Sequence, residues 1–123
     1  MAKEFWKKVR FFKPSEFACP CCGKCEMSED LVLTLDRIRK CLELPIFITS
    51  AFRCEKHNKE VGGAPDSAHL KGLAVDVSVL SSPYRCELIS CAIYMRIRRI
   101  GIAKTFVHLD IDKSKPWPSM WVY

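Results

Sequence analysis

A histidine and a carboxylate stand seven positions apart in the segment 67–76, which reads SAHLKGLAVD, and both residue types bind metal ions. Apolar residues at 73, 75, 77 and 79 alternate with small or polar ones, so this run predicts a strand that buries one face. Asp76 would then turn outward among small neighbours that leave room for an ion. The spacing of His69 and Asp76 predicts a metal site where a loop runs into a strand.

A second histidine with acidic neighbours follows in the segment 106–112, FVHLDID. Its period-2 pattern places His108, Asp110 and Asp112 together on the face opposite the apolar residues. Two histidines and one carboxylate leave the fourth tetrahedral position of Zn²⁺ open, which is typical of a catalytic zinc site. The alternative is two ordinary histidines beside a solvated acidic strand face. With only three histidines in the chain, we favour the metal site.

The pattern Ser-x-His-x-x-Gly-x-Ala-x-Asp resembles the metal motif of zinc D-Ala-D-Ala carboxypeptidases and related phage endolysin peptidases, whose fold is shared with the hedgehog signalling domain. Five spaced positions match, from Ser67 to Asp76. The resemblance implies a third ligand downstream, which His108 supplies, and therefore one Zn²⁺ held by His69, Asp76 and His108. It also suggests that Ser67 hydrogen-bonds a ligand or the substrate.

Arg53 ends the segment 46–53, IFITSAFR, whose branched and aromatic residues predict a buried strand. The last four residues resemble a Ser-Gly-Tyr-Arg segment of the same family, in which the arginine faces the substrate peptide. A guanidinium fits a carboxylate with two parallel hydrogen bonds, so we expect Arg53 to hold a substrate carboxylate or carbonyl. The alternative role is a surface ion pair.

The general base is less clearly marked. Many relatives place an acid three residues before the last histidine ligand, and Thr105 occupies that position here. Asp110 shares the strand face of His108 and is our candidate base. Asp66 is a weaker candidate.

Two amphipathic helices and several strands are expected to position these residues. The first helix has Ser28 as N-cap and apolar residues at 31, 35, 38 and 42. The second has Ser82 as N-cap and Pro83 at its first position, and runs to about Ile97, with Gly101 separating it from the next strand. We predict an α+β fold, with a small antiparallel sheet that carries the zinc site and is flanked by two long helices.

The N-terminal part and the tail are compositionally distinct. We interpret residues 1–123 as a single zinc peptidase-like domain with a basic N-terminal arm and a cysteine-rich loop (1–27). Cys22 and Cys25 have the spacing of one zinc knuckle, but the cysteines at 41, 54, 86 and 91 include no second pair of this kind, so a surface loop is favoured over a metal site or a strained disulfide. The aromatic tail 113–123 is expected to be irregular and to cover the core or wall the cleft.

Composition indicates a globular protein with 49% hydrophobic and 28% charged residues. There is no apolar run of the roughly 20 residues that cross a bilayer, and no signal-peptide core. We therefore expect a monomer made in the cytoplasm without its own export signal. The net charge of +6 implies an anionic partner, for which cell wall, nucleic acid and membrane surface are all admissible.

Two functions follow from these observations. The first is a zinc-dependent metallopeptidase that cleaves peptidoglycan stem peptides, as a D-Ala-D-Ala carboxypeptidase or endopeptidase, and that acts on the bacterial cell wall after release or lysis, in the manner of a phage lysis enzyme. No specific nucleic acid is predicted as a partner. The second is a catalytically weak or inactive zinc-containing module that binds cell-wall polymer or another anionic partner. Thr105 favours the second function, whereas Arg53 and Ser67 favour the first.

Overall fold

The computed structural model describes residues 3–123. Its helices and strands follow one another in the order α1 Lys3–Trp6, α2 Glu29–Leu42, β1 Ile48–Ser50, α3 Glu55–Glu60, β2 Ala74–Ser78, α4 Ser82–Tyr94, β3 Arg99–Ile102, β4 Phe106–Asp110 and β5 Ser119–Val122. Two 3₁₀ turns, Pro14–Glu16 and Ala68–Lys71, complete the regular structure of this part of the chain. The α+β class predicted from the sequence is confirmed.

The five strands form one sheet in the order β1-β2-β4-β3-β5. All neighbouring strands are antiparallel except β3 and β5, which run parallel. The expectation of an irregular tail is therefore wrong for Ser119–Val122, which add a parallel edge strand. Pro116 and Pro118 argue against a strand in this segment when its sequence is considered alone. The strand forms through its pairing with β3, which the local pattern does not show.

The register of the sheet creates one row of residues that crosses all five strands. Ser50 pairs with Asp76, Asp76 with His108, His108 with Gly101, and Gly101 with Trp121. Directly opposite residues point to the same face of a sheet. This row therefore brings two of the three expected metal ligands together beside an indole ring.

Helix α2 forms as its sequence predicts. The hydroxyl of its N-cap, Ser28, accepts a hydrogen bond from the Leu31 backbone N–H at 3.3 Å. The helix ends where Glu43 adopts a left-handed conformation, with φ of 58°. Its apolar face, which includes Leu31, Leu35 and Ile38, is buried completely.

Helix α4 differs from its predicted bounds at both ends. Its N-cap is Ser81, not Ser82, and the Ser81 hydroxyl accepts from the Tyr84 backbone N–H. It ends at Tyr94 and not near Ile97, because Arg96 adopts φ of 67° and the Ile97 N–H returns to the Ala92 carbonyl. This left-handed closure directs the chain into β3.

Gly101 does not separate α4 from the next strand, as was predicted, but lies inside β3. A Cβ atom there would stand 2.6 Å from the indole nitrogen of Trp121. The missing side chain lets Trp121 lie across β3, next to His108.

Strand β1 is shorter than the predicted strand 46–53, because the chain leaves the sheet after Ser50 to make other contacts. The Ala51 carbonyl accepts from the His69 ring, and the Phe52 N–H donates to the Phe17 carbonyl. The Arg53 N–H donates to the His69 carbonyl at 3.1 Å. The segment 51–53 thus connects the sheet to the turn that carries His69.

The hydrophobic core lies between the sheet and the two long helices. The N-terminal arm closes one side of it, since Phe5, Phe12 and Phe17 are all buried. The buried Asp36 carboxylate of α2 accepts hydrogen bonds from the backbone N–H groups of Arg10 and Phe11, which ties the arm to the helix. Within residues 3–123, none of the helices has the length and apolar character needed to cross a membrane.

Candidate metal centre

His69 lies in the 3₁₀ turn Ala68–Lys71, whose N-cap is Ser67. The Ser67 hydroxyl accepts a hydrogen bond from the His69 backbone N–H at 3.2 Å. The ring Nδ1 lies 2.7 Å from the Ala51 carbonyl oxygen, which can only accept, so Nδ1 carries a hydrogen. That bond leaves Nε2 available, and Nε2 lies 3.3 Å from Oδ1 of Asp76. A backbone carbonyl that fixes the tautomer in this way is a common support for a metal-binding histidine.

Gly72 allows this turn to pack closely. It ends the turn with φ of +69°, and a Cβ atom at this position would overlap the backbone carbonyl of Glu26. The Gly72 carbonyl also accepts from the N–H of Ser28, the N-cap of α2. The glycine of the motif therefore anchors the His69 turn to the start of a long helix.

Asp76 and His108 occupy neighbouring positions on β2 and β4, and Nδ1 of His108 lies 2.9 Å from Oδ1 of Asp76. The other ring nitrogen, Nε2, lies 2.7 Å from Oδ2 of Asp110. His108 therefore faces Asp76 with its Nδ1 atom, whereas His69 faces Asp76 with its Nε2 atom. One ligand atom from each of the three residues lies within 4.8 Å of the other two, and all three residues are buried.

The electrostatics of the three residues match a cation site. Burial disfavours the charged form of Asp76, but hydrogen bonds from His108 and His69 outweigh burial and lower the pKa of this carboxyl. Burial disfavours the charged form of His108 as well, yet Asp110 and Asp76 accept from it and raise its pKa. Without a metal, the two carboxylates thus favour the protonated, positively charged form of His108. A bound cation would supply that positive charge in place of the proton.

Asp110 is 1% exposed and has both carboxylate oxygens occupied. Its Oδ2 accepts from His108, while its Oδ1 faces Nε of Arg99 at 2.7 Å and the backbone N–H of Asp112 at 3.1 Å. Arg99 also donates to the Pro116 carbonyl and stacks on Trp121, with 4.9 Å between its guanidinium carbon and the ring centroid. Arg99 was not predicted as a site residue, because only sheet pairing brings it here, whereas Trp121 belongs to the aromatic tail that was expected to cover the core or wall the cleft.

Arg53 lies at the site, as expected, and is held in a fixed orientation. Its Nε donates to the Ser50 hydroxyl at 3.0 Å, its Nη1 to the Asn58 side-chain oxygen at 3.2 Å, and its Nη2 approaches Oδ2 of Asp76 at 3.5 Å. A guanidinium has five N–H groups, so one on each Nη is left for another partner. Gly63 makes room for this arrangement, since a Cβ atom there would overlap the Asn58 side chain and stand 3.0 Å from Nη1.

The three expected ligands and Arg53 line one cleft of about 380 Å³, together with Ser67 and Asp110. Aromatic residues of β4, of β5 and of the position after β5 form one wall of this cleft: Phe106, Trp121 and Tyr123. Partial burial raises the pKa of the Tyr123 phenol, which is already a neutral hydrogen-bond donor at neutral pH at its usual pKa of about 10.

The remaining candidate residues lie elsewhere. Thr105 is exposed in the turn before β4 and is not part of the cleft lining. Asp66 points to solvent, with its side chain 79% exposed, and pairs with Lys115 at 3.4 Å. Asp112 is buried, where a solvated strand face would have exposed it, and is bound by Lys71 and Ser114.

The donor set tests which metal fits. Two imidazole nitrogens and one carboxylate oxygen, each fixed from behind by a second hydrogen bond, are the ligands that zinc prefers in sites with an open fourth position. The three side chains come from separate elements, and their ligand atoms converge within 4.8 Å of one another. The residues present therefore fit Zn²⁺.

A mostly antiparallel sheet flanked by helices, with two histidines and one aspartate converging in an open cleft, is the arrangement of a zinc-binding domain with an open coordination position. The family model described as "Peptidase M15" matches residues 10–110, which is most of the chain. The chain belongs to this zinc-dependent peptidase family, and the resemblance seen in its motifs is confirmed. A comparison with curated proteins finds none that matches.

Proposed function

We propose that the protein is a zinc-dependent peptidase that cleaves peptidoglycan stem peptides, as a D-Ala-D-Ala carboxypeptidase or an endopeptidase. The observation that carries this proposal is the convergence of His69, Asp76 and His108 in a cleft that also presents two free N–H groups of Arg53. A cleft with an anchored cation beside a metal site suits a peptide whose carboxylate or carbonyl lies close to the scissile bond.

The metal would be held by Nε2 of His69, a carboxylate oxygen of Asp76 and Nδ1 of His108. When bound, Zn²⁺ supplies Lewis acidity that polarises a carbonyl and makes a nearby water more acidic. The chain's own residues then orient the reactants. Arg53, fixed by Ser50 and Asn58, binds the substrate oxygen, and Ser67 keeps the His69 turn closed.

Asp110 was predicted as the general base, but its contacts support a positioning role better. A base needs a lone pair that faces the attacking water. Both oxygens of Asp110 are directed at N–H groups of His108, Arg99 and Asp112, and the side chain is buried. We propose that Asp110 orients the His108 ring and raises its basicity toward the metal.

A specific observation also supports a second function. Thr105 stands where many relatives carry the acid, and the acidic side chains that line the cleft are Asp76 and Asp110 within the described residues 3–123. A domain with a metal site and few proton acceptors suits a module that binds wall polymer through its net positive charge of +6. Action on the bacterial cell wall after release or lysis would fit either function.

The test is digestion of purified peptidoglycan by the zinc-loaded protein, followed by mass analysis of the released fragments. Loss of a terminal D-Ala would indicate the carboxypeptidase, and separated cross-links or freed stem peptides would indicate an endopeptidase. His69→Ala should abolish cleavage. His57→Ala is the matched control, because His57 lies on α3 outside the proposed ligand set and should leave cleavage intact. Zinc-loaded wild-type protein that binds peptidoglycan but releases no fragment would reject the peptidase and favour the binding module.

A further inference from the structure

A second cluster of potential metal ligands lies outside the cleft. The sulfur atoms of Cys19, Cys22 and Cys54 all lie within 4.8 Å of one another. Cys54 is 35 residues away from Cys19 in sequence, and their sulfur atoms are 3.7 Å apart. The Cys22 and Cys25 pair, which the sequence suggested, is not the pair that the fold brings together, since Cys25 packs against the core instead.

The loop around Cys19 has the form of a metal knuckle. In the segment 19–23, Cys-Pro-Cys-Cys-Gly, the Gly23 N–H donates to the Cys19 carbonyl at 2.7 Å, and Gly23 adopts φ of +75°. This tight turn places the first and fourth residues of a C-x-x-C spacing side by side. Such a spacing is typical of structural zinc sites in proteins.

Backbone N–H groups donate to two of the sulfur atoms. The N–H of Cys54 donates to the sulfur of Cys19 at 3.5 Å, and the His57 N–H donates to the sulfur of Cys54 at 3.4 Å. Such donors favour a sulfur that carries negative charge, as a metal-bound thiolate does. Both donors belong to the N-terminal end of α3.

The distances suit a tetrahedral ion. Ligand sulfurs about 2.3 Å from a tetrahedral zinc stand about 3.8 Å from one another, which matches the 3.7 Å between Cys19 and Cys54. Cys21 is an exposed thiol that directly precedes Cys22 in the same loop, which makes it the candidate for a fourth position. All eight cysteines, which lie within the described residues, are free thiols.

We propose that Cys19, Cys22 and Cys54, with Cys21 as fourth ligand, form a structural Zn²⁺ site that is separate from the peptidase centre. The ion clamps the N-terminal loop to the start of α3. Cys54 directly follows Arg53 and is the N-cap of α3, and Asn58 of the same helix holds Arg53. The thiolate site therefore fixes the segment that presents Arg53 to the cleft.

The test is zinc stoichiometry of the full chain, purified under reducing conditions with zinc supplied. We expect two zinc ions per wild-type chain, and one in Cys54→Ser and in Cys19→Ser. Cys86→Ser is the matched control, because Cys86 is an exposed thiol on α4, and it should keep two. His69→Ala should keep one, so loss of the peptidase site and loss of the thiolate site are separated.

A spectroscopic measurement covers the case in which a cysteine variant fails to fold. X-ray absorption at the zinc edge of His69→Ala should show sulfur neighbours at about 2.3 Å and no first shell made of nitrogen and oxygen at about 2.0–2.1 Å. Heat denaturation should also show a lower Tm for Cys54→Ser than for Cys86→Ser. One zinc per wild-type chain, a nitrogen and oxygen shell in His69→Ala, or a Cys19 to Cys54 disulfide in the reduced preparation would each overturn the proposal.

Discussion

Replacement of Asp110 by Asn tests whether this residue positions His108 or takes a proton. Asn keeps the size of the side chain but has one acceptor oxygen, while the carboxylate accepts from His108, Arg99 and the Asp112 backbone. In the variant, an NH₂ group must face either His108 or Arg99, where a donor then meets a donor.

The loss can be estimated from the contacts. A hydrogen bond to a charged group contributes roughly 1.5–3 kcal/mol, and about 1.4 kcal/mol corresponds to a tenfold change in an equilibrium constant. If the His108 contact is lost, zinc affinity should fall about 10- to 100-fold, which is also the range for groups that support a metal ligand. Turnover at saturating zinc should change much less.

The assay has two parts, which are zinc affinity measured with a competing chelator and turnover on stem peptide at saturating zinc. Asp112→Asn is the matched control, because Asp112 lies two residues further on and is bound by Lys71 and Ser114 instead of His108. The reasoning is refuted if Asp110→Asn leaves zinc affinity unchanged and lowers saturated turnover by roughly 10²- to 10⁴-fold. That result is the signature of a lost general base.

Three further predictions follow from other contacts. Arg53→Lys should lower kcat/KM on a stem peptide about 10- to 100-fold with zinc content unchanged, because a lysine cannot form the paired hydrogen bonds of a guanidinium; equal kcat/KM would contradict the role of Arg53. Zinc affinity, measured by calorimetry, should fall from about pH 8 to about pH 5.5, because Asp110 and Asp76 raise the pKa of His108 above its usual 6.5 and a proton competes with the metal there; affinity that is flat over this range would contradict it. Burial opposes the charged form of Asp112, but hydrogen bonds from Ser114 and Lys71 outweigh burial and lower the pKa of this carboxyl. The charged Asp112 therefore stabilises the fold above its unfolded-state pKa of about 4, and this stabilisation is lost as the pH falls through its lower folded-state pKa. The free energy of unfolding of Asp112→Asn in urea should therefore lie roughly 1–3 kcal/mol below wild type at neutral pH, with a gap that closes toward about pH 3; a gap that is constant with pH would exclude the charge of Asp112 as its cause.

Local sequence pattern was sufficient for the features that depend on neighbouring residues. The cap of α2 by Ser28 and the strand containing Asp76 follow from side chains a few positions apart, and the structure has both. The period-2 pattern around His108 correctly placed His108 and Asp110 on one face of β4, although that face is buried and not solvated. The ligand set proposed from these patterns converges in space, because the register of β2 and β4 places Asp76 opposite His108.

Tertiary structure decided which partners these residues have. The sequence around Asp110 was compatible with a general base and with a solvated acidic strand face. Only the pairing of β3 with β4 brings Arg99 to the Asp110 carboxylate. Trp121 reaches the site only through a parallel strand in a proline-containing tail. Cys54 has no cysteine neighbour in sequence, yet the packing of the N-terminal loop on α3 places its sulfur beside Cys19. In each case the contact joins segments far apart along the chain, where the periodicity of a single element carries no information about which surfaces meet.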